Sequence, residues 1–175
     1  GETFISRRQF YKQQSGKSDS VRGQVAGWYT TDKNAAYYGA NATPNTIRDL
    51  VKEALIQVAN DPSIDLAQFD QEDRYDLNGN GNRNEPDGLI DHLMIFHSSV
   101  GEEAGGGDLG EDAIWAHRWN LGAPFPIPGT SSPNGNFGGQ FAAYDYTIQP
   151  IDAAAGVCAH EYGHDLGLPD EYDTK

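Results

Sequence analysis

The sequence predicts an α/β or α+β domain in which a sheet is combined with two main helices. Two observations lead to this prediction. A helical repeat of apolar residues spans about 46–59, and short apolar runs of strand length alternate with turn-rich segments. A length of 175 residues suits one domain covering 1–175, with enough chain to bury a core.

The first of these helices is the clearest element in the chain. Between Thr46 and Ala59 the apolar residues recur every three or four positions, which places them on one face of a helix. These residues are Ile47, Leu50, Val51, Ala54, Leu55 and Val58. The helix is expected to end at the "NDP" turn of 60–62, because proline cannot continue the hydrogen-bond ladder.

Four segments have the composition of strands. They are "VRGQVAGWYTT" at 21–31, "LIDHLMIFHSSV" at 89–100, "AIWAHRW" at 113–119 and "QFAAYDYTIQP" at 140–150. The stretches 32–45 and 120–139 are rich in glycine, proline and asparagine, which is typical of loops.

A second helix is predicted over about 152–166. Asp152 is a suitable N-cap, because its side chain can accept a hydrogen bond from the first free amide groups. Gly167 stands where a residue in the left-handed conformation would end the helix.

The charge of the chain limits its partners. Acidic residues outnumber basic ones by 26 to 12, which gives a formal net charge of −14. Such a charge repels nucleic acid and anionic membranes, and it favours cations, calcium above all. No apolar run approaches the roughly 18 residues of a membrane span. No N-terminal leader is visible, so we expect either a mature form or an intracellular protein.

The motif "HEYGH" predicts a zinc site. His160 and His164 are four residues apart, so on a helix their imidazoles project from the same face and can bind one ion. Glu161 is placed to accept a proton from a zinc-bound water as that water attacks a carbonyl. A helix with two coincidental histidines is the alternative, and the neighbouring glutamate, glycine and acid argue against it.

A third zinc ligand is available a few residues downstream. The run "HEYGHDLGLPD" matches the pattern H-E-x-x-H-x-x-G-x-x-H with Asp170 in place of the last histidine. Carboxylate oxygens are acceptable zinc ligands, and Glu171 is the competing choice.

The remaining metal-binding residue types are predicted to be structural. Cys158 falls on a different helix face from His160 and suits a small buried position better than a reactive thiol. His92, His97 and His117 have no partner at ligand spacing. A single cysteine also excludes an internal disulfide framework.

The segment "DLNGNGNRNEPD" at 76–87 resembles a calcium-binding loop. Oxygen-bearing side chains recur at alternate positions around a turn glycine, as a hard cation requires. The candidate ligands are Asp76, Asn78, Asn80, Asn82, Asn84 and Asp87. Neutral asparagines and a final aspartate predict weak binding, typical of extracellular calcium, and an ion-free Asn/Gly turn is the alternative.

Three motifs together carry a resemblance to a known family. "EPDGLIDH", "EEAGGG" and "HEYGHDLGLPDEYDT" resemble the catalytic domain of the immune inhibitor A metallopeptidases, which are secreted bacterial zinc endopeptidases. The resemblance implies His160 and His164 as zinc ligands, Glu161 as general base and Asp170 as third ligand. It also implies stability that depends on calcium and a fold similar to the upper subdomain of the metzincins. In that fold a twisted mixed sheet is backed by one helix, here the helix at about 46–59, and the active-site helix lies beneath the cleft.

The chain departs from that family at its end. The family continues into a methionine-containing turn beneath the zinc, whereas the single methionine here, Met94, lies upstream. We therefore expect a truncated catalytic domain that lacks the floor of its pocket and needs a missing C-terminal portion.

These features together predict a secreted, extracellular zinc endopeptidase that acts on protein or peptide substrates. An edge strand beside the cleft would hold the extended substrate by strand addition. One alternative is a non-catalytic fragment that binds calcium and zinc, inactive without the missing portion. A weaker one is another zinc hydrolase, such as an amidase.

Overall fold

The computed structural model describes residues 7–14, 23–41 and 45–170. Its helices are α1 (Arg7–Gln14), α2 (Ala35–Gly39), α3 (Thr46–Ala59) and α4 (Ala155–Asp165). Its strands are β1 (Met94–His97), β2 (His117–Pro126) and β3 (Ala142–Pro150). Short 3₁₀ helices occupy Leu66–Phe69, Glu102–Ala104, Gly107–Asp112 and Asn136–Gly139.

The three strands form one mixed sheet in the order β1-β3-β2. The central strand β3 runs parallel to β1, with Met94 opposite Thr147, and antiparallel to β2, with His117 opposite Ile148. The mixed α/β character predicted from the sequence is thereby confirmed. In the described part of the chain, β1 and β2 are the two edge strands.

Helix α3 packs its apolar face into the core as the repeat predicts. Leu50, Val51 and Leu55 are buried and share one apolar cluster with Tyr146 and Ile148 of β3. Burying side chains of this size stabilises a fold by about 1.5 to 3 kcal/mol each. The predicted bounds of this helix, 46–59, are those observed.

The strand predicted at 21–31 is wrong in its described part, because residues 23–31 form neither helix nor strand. Val25 and Trp28 are 92% and 71% exposed. Composition favoured a strand here, but strand formation depends on a neighbouring strand and on burial of one face. Among the described residues, this segment has neither a neighbouring strand nor a buried face.

The bounds of the other predicted strands also differ from the observed ones. In the apolar run 89–100, only Met94–His97 form a strand. Leu89 pairs with Ala142 in an isolated β-bridge. Strand β2 starts at His117 and continues into the predicted loop, because pairing with β3 resumes after an irregularity between Asn120 and Phe125.

Helix α2 lies within the stretch that was predicted to be a loop. The side chain of Asn34 caps it by accepting a hydrogen bond from the Tyr37 amide at 3.1 Å. A single capped turn of this kind is compatible with loop-like composition.

Helix α4 begins three residues later than predicted. Its N-cap position is Ala154, which offers no side-chain hydrogen bond, so Asp152 is not the cap. Its end is as expected, with Gly167 at φ +92°, in the left-handed region that favours glycine. Across the described ranges, no helix is long and apolar enough to cross a bilayer.

Candidate active site

Helix α4 and the turn that follows it bring three predicted ligands together. The Nε2 atoms of His160 and His164 are 3.0 Å apart. The Oδ1 atom of Asp170 lies 3.4 Å from Nε2 of His160 and 3.2 Å from Nε2 of His164. Tetrahedral zinc with bonds of about 2.0 to 2.1 Å requires ligand atoms about 3.4 Å apart. The donor set therefore fits zinc in both chemistry and spacing.

No second group of this kind occurs in the described residues. His160, His164 and Asp170 are their only set of three His, Cys, Asp or Glu side chains whose ligand atoms all lie within 4.8 Å. The competing third ligand, Glu171, lies outside the described residues.

The turn after α4 orients both His164 and Asp170. Nδ1 of His164 lies 2.8 Å from the Leu168 carbonyl, so a proton on Nδ1 would be donated there and Nε2 would keep its lone pair. The amides of Gly167 and Leu168 donate back to the carbonyls of His164 and Gly163 at 2.9 and 3.0 Å. The positive φ of Gly167 allows this reversal, which places Asp170 beside the histidines.

Glu161 lies at the junction between α4 and β2. It is buried, and the backbone amide of Arg118 in β2 favours its charged form. Burial raises the pKa of Glu161 above its ordinary value, although the charges of His160 and His164 oppose this rise. A carboxylate with a raised pKa holds a proton more readily, which suits a general base near neutral pH.

The buried side of α4 carries apolar residues beside Glu161 and Asp165. Cys158 is buried as a free cysteine, as predicted. The Tyr11 hydroxyl of α1 donates to the Ala159 carbonyl at 2.6 Å, and its ring packs edge-on against Tyr162 with centroids 5.4 Å apart.

Asp165, the last residue of α4, is a site residue that the sequence reasoning missed. Its buried carboxylate contacts Nδ1 of His92 and lies 3.4 Å from Nη1 of Arg74. Burial alone would raise the pKa of Asp165, but the hydrogen bond from His92 and the charge of Arg74 outweigh it and lower that pKa. An acid directly after the second histidine was the available signal.

The other histidines make structural contacts. His97 is buried with Nδ1 2.8 Å from the Ser99 hydroxyl, and Nε2 of His117 lies 3.2 Å from the Tyr146 hydroxyl. Burial lowers the pKa of both. Within the described chain neither joins a metal-binding set, and His92 contacts Asp165.

The calcium-like loop is folded around a glutamate. The side-chain amides of Asn78, Asn80 and Asn82 all donate to Glu85, at 2.7, 2.7 and 2.8 Å. The amide oxygens of these asparagines accept hydrogen bonds from backbone amides two residues ahead, the last of them from Asn84.

The two aspartates of the loop have different surroundings. The carboxylate of Asp76 accepts a hydrogen bond from Gly81 at 3.0 Å. Asp87 is buried near Asp70 and Asp73, and burial and these neighbours raise its pKa to about 6. One carboxylate oxygen of Asp87 accepts from Leu89, and the other has no hydrogen-bond partner among the described residues.

Comparison with known proteins identifies the family of the chain. The family model for the immune inhibitor A peptidase M6 catalytic domain matches residues 1–175. The chain belongs to the immune inhibitor A peptidase M6 family. It is therefore a metallopeptidase domain, and the family resemblance read from its motifs is confirmed.

Two curated relatives show how much of a longer protein the match covers. The chain is 69% identical over 180 residues to the pre-pro-metalloprotease PrtV of Vibrio cholerae serotype O1, covering 100% of this chain and 20% of PrtV. It is 59% identical over 181 residues to immune inhibitor A of Bacillus thuringiensis subsp. alesti, covering 99% and 26% respectively. The chain thus spans about a quarter or less of the length of these relatives.

Proposed function

We propose that this chain is the catalytic domain of a secreted endopeptidase that uses zinc to hydrolyse peptide bonds in proteins. The observation that carries the proposal is the triad of His160, His164 and Asp170 at tetrahedral spacing, with Glu161 on the same helix. Membership of a metallopeptidase family supports the reaction class.

The residues of the site have two roles in the proposed reaction, metal binding and proton transfer. A zinc ion bound by the two imidazoles and the Asp170 carboxylate would polarise the scissile carbonyl and acidify a water molecule. Glu161 accepts a proton from the attacking water and then delivers it to the leaving amine. Its burial and raised pKa support this two-way proton transfer.

Strand β2 is our candidate for the substrate-binding edge. It is an edge strand in the described sheet, and its Arg118 amide interacts favourably with the charged form of Glu161. An extended peptide that added to the outer edge of β2 would run close to the proposed base. This placement supports an endopeptidase acting on extended segments.

Substitution of Glu161 by glutamine tests the proposal. The variant keeps the size of the side chain but removes the base, so we expect peptide cleavage to fall by about 10² to 10⁴-fold while zinc remains bound. A fluorogenic peptide with internal quenching measures the rate. Equal trace cleavage by the parent and the variant would favour the alternative, a non-catalytic fragment that binds zinc and calcium.

We further propose that the loop 76–87 binds calcium. Support comes from the oxygen-rich side chains of the loop and from a buried oxygen of Asp87 beside Asp70 and Asp73, which has no hydrogen-bond partner among the described residues. A cation there would satisfy that oxygen and relieve the repulsion between carboxylates. A melting temperature that is identical in calcium and in chelator would remove this proposal.

Weak calcium binding fits the secreted location, because extracellular calcium is abundant enough to fill a low-affinity loop. Fractionation of the natural host, with the protein detected by antibody, tests this location. Recovery in the culture medium supports secretion, and recovery only inside the cells contradicts it.

A further inference from the structure

The C-terminal end of α4 makes side-chain contacts with a distant segment of the chain, through one arginine and one histidine. Asp165 closes α4, and its side chain is only 3% exposed. Nη2 of Arg74 donates to the Asp165 carbonyl, and Nη1 lies 3.4 Å from the Asp165 carboxylate. Nδ1 of His92 contacts the other oxygen of that carboxylate.

This contact satisfies groups that a helix end otherwise leaves free. The last carbonyls of a helix have no intrahelical donor, and a cation near them interacts favourably with the helix dipole. Arg74 supplies both a donor and a positive charge to Asp165. His92 also packs its ring against Tyr162, with centroids 5.5 Å apart, so the last turn is held from two sides.

Arg74 is itself fixed by its own segment. Its Nη1 donates to the Asp91 carbonyl at 3.0 Å, and its carbonyl accepts a hydrogen bond from Arg83. The Asp91 carboxylate in turn accepts the amide of Gln71 at 2.7 Å. The arginine is therefore presented by a hydrogen-bonded segment and not by a free surface side chain.

We propose that Arg74 and His92 are positioning residues for the zinc site, acting through Asp165. Asp165 follows His164 directly and begins the turn that carries the Leu168 carbonyl and Asp170. Fixing Asp165 therefore fixes the imidazole of His164 and the approach of the third ligand together. The proposal rests on the proposed zinc function of His160, His164 and Asp170.

The preorganised turn has a measurable consequence for metal affinity. Removing a hydrogen bond that orients a metal ligand typically weakens metal binding by about 10 to 100-fold. Arg74 acts one residue away from a ligand, so we expect the lower end, a roughly tenfold rise in the zinc dissociation constant of Arg74→Met. Arg74→Lys keeps the charge but not the two-pronged contact, so its affinity should lie between those of Arg74→Met and the parent.

The test is competition for zinc with a chromophoric chelator, on purified full-length protein. Arg48→Met is the matched control. Arg48 also donates to a backbone carbonyl, that of Asn120, at 2.9 Å, but it is not one of the residues that contact Asp165. The melting temperature of the metal-free protein is measured in parallel. Should Arg74→Met fail to fold, His92→Phe replaces it, since phenylalanine keeps the ring against Tyr162 and loses only the hydrogen bond.

We expect weaker zinc binding in Arg74→Met, or in His92→Phe if it replaces that variant, and little change in Arg48→Met. The proposal would be overturned if folded Arg74→Met, or its replacement His92→Phe, bound zinc as tightly as the parent. An equal loss of zinc affinity in Arg48→Met would also overturn it. The zinc function fails differently: in that case the parent would bind zinc no more tightly than His160→Ala.

Discussion

Asp87→Asn should stabilise the protein in chelator and destabilise it in calcium. The side chain of Asp87 is 3% exposed and one of its oxygens has no hydrogen-bond partner among the described residues. Its neighbours Asp70 and Asp73 are also acids, and desolvation and their charges raise its pKa to about 6. A buried carboxylate in this setting opposes folding once it ionises.

The size of the effect follows from that pKa. A rise from an ordinary value of 3.8 to about 6 corresponds to at most about 3 kcal/mol at neutral pH. Screening by solvent reduces this, and we expect about 1 to 2 kcal/mol. For a domain of this size that is a rise of roughly 3 to 6 °C in the melting temperature of the variant in chelator.

The pH dependence has a definite sign. Because the pKa of Asp87 is higher in the folded state, its protonation favours folding fully below about pH 4, and this contribution is lost as the pH rises through about 6. The advantage of Asp87→Asn over the parent should therefore shrink between pH 7 and pH 5. The exposed Asp65 provides the control, since Asp65→Asn keeps an N-cap side chain and should change little.

In calcium the parent should be more stable than Asp87→Asn, the reverse of their order in chelator. The parent gains stability from the bound ion by mass action, whereas the variant has lost a charged ligand and gains less. Differential scanning fluorimetry in chelator and in millimolar calcium gives both comparisons. If the variant is less stable than the parent by the same amount in both buffers, Asp87 is simply a structural acid and the reasoning is refuted.

Substitutions at the third zinc ligand, in the core and at one glycine provide three further tests. Asp170→Ala should weaken zinc binding far more than Glu171→Ala in chelator competition, and the reverse ranking would assign Glu171 as the third ligand. Leu55→Ala, at a residue only 2% exposed, should lower the free energy of unfolding by about 2 to 5 kcal/mol in denaturant titration; a loss below about 1 kcal/mol would contradict the packing of α3. Gly39→Ala should also destabilise the fold, since its added Cβ would lie 2.4 Å from the Asp112 carbonyl oxygen; an unchanged melting temperature would contradict that close approach.

Sequence patterns predicted the features that depend on residues close together in the chain. The repeat from Ile47 to Val58 located α3 because one helix face must be apolar wherever a helix packs on a sheet. The spacing of His160 and His164 brought two ligands to one face for the same geometric reason. Gly167 ended α4 because its conformation is costly for other residues.

Features that depend on distant partners were not readable from the sequence. The strand expected near Val25 and Trp28 has no neighbouring strand among the described residues. Strand β2 reaches Pro126 only because β3 pairs with it there. The contact between Arg74 and Asp165 joins residues 91 positions apart, which no local pattern reveals. Asp87 was predicted as a loop ligand, but its burial beside Asp70 and Asp73 depends on tertiary packing.

The metal content of the purified protein tests the central claim most directly. Elemental analysis should find one zinc per chain in the parent and in Glu161→Gln, with peptide cleavage only in the parent. His160→Ala combined with His164→Ala should contain none. A parent protein that purifies without zinc and does not take it up, or a double variant that retains it, would contradict the assignment of His160, His164 and Asp170 as a zinc site.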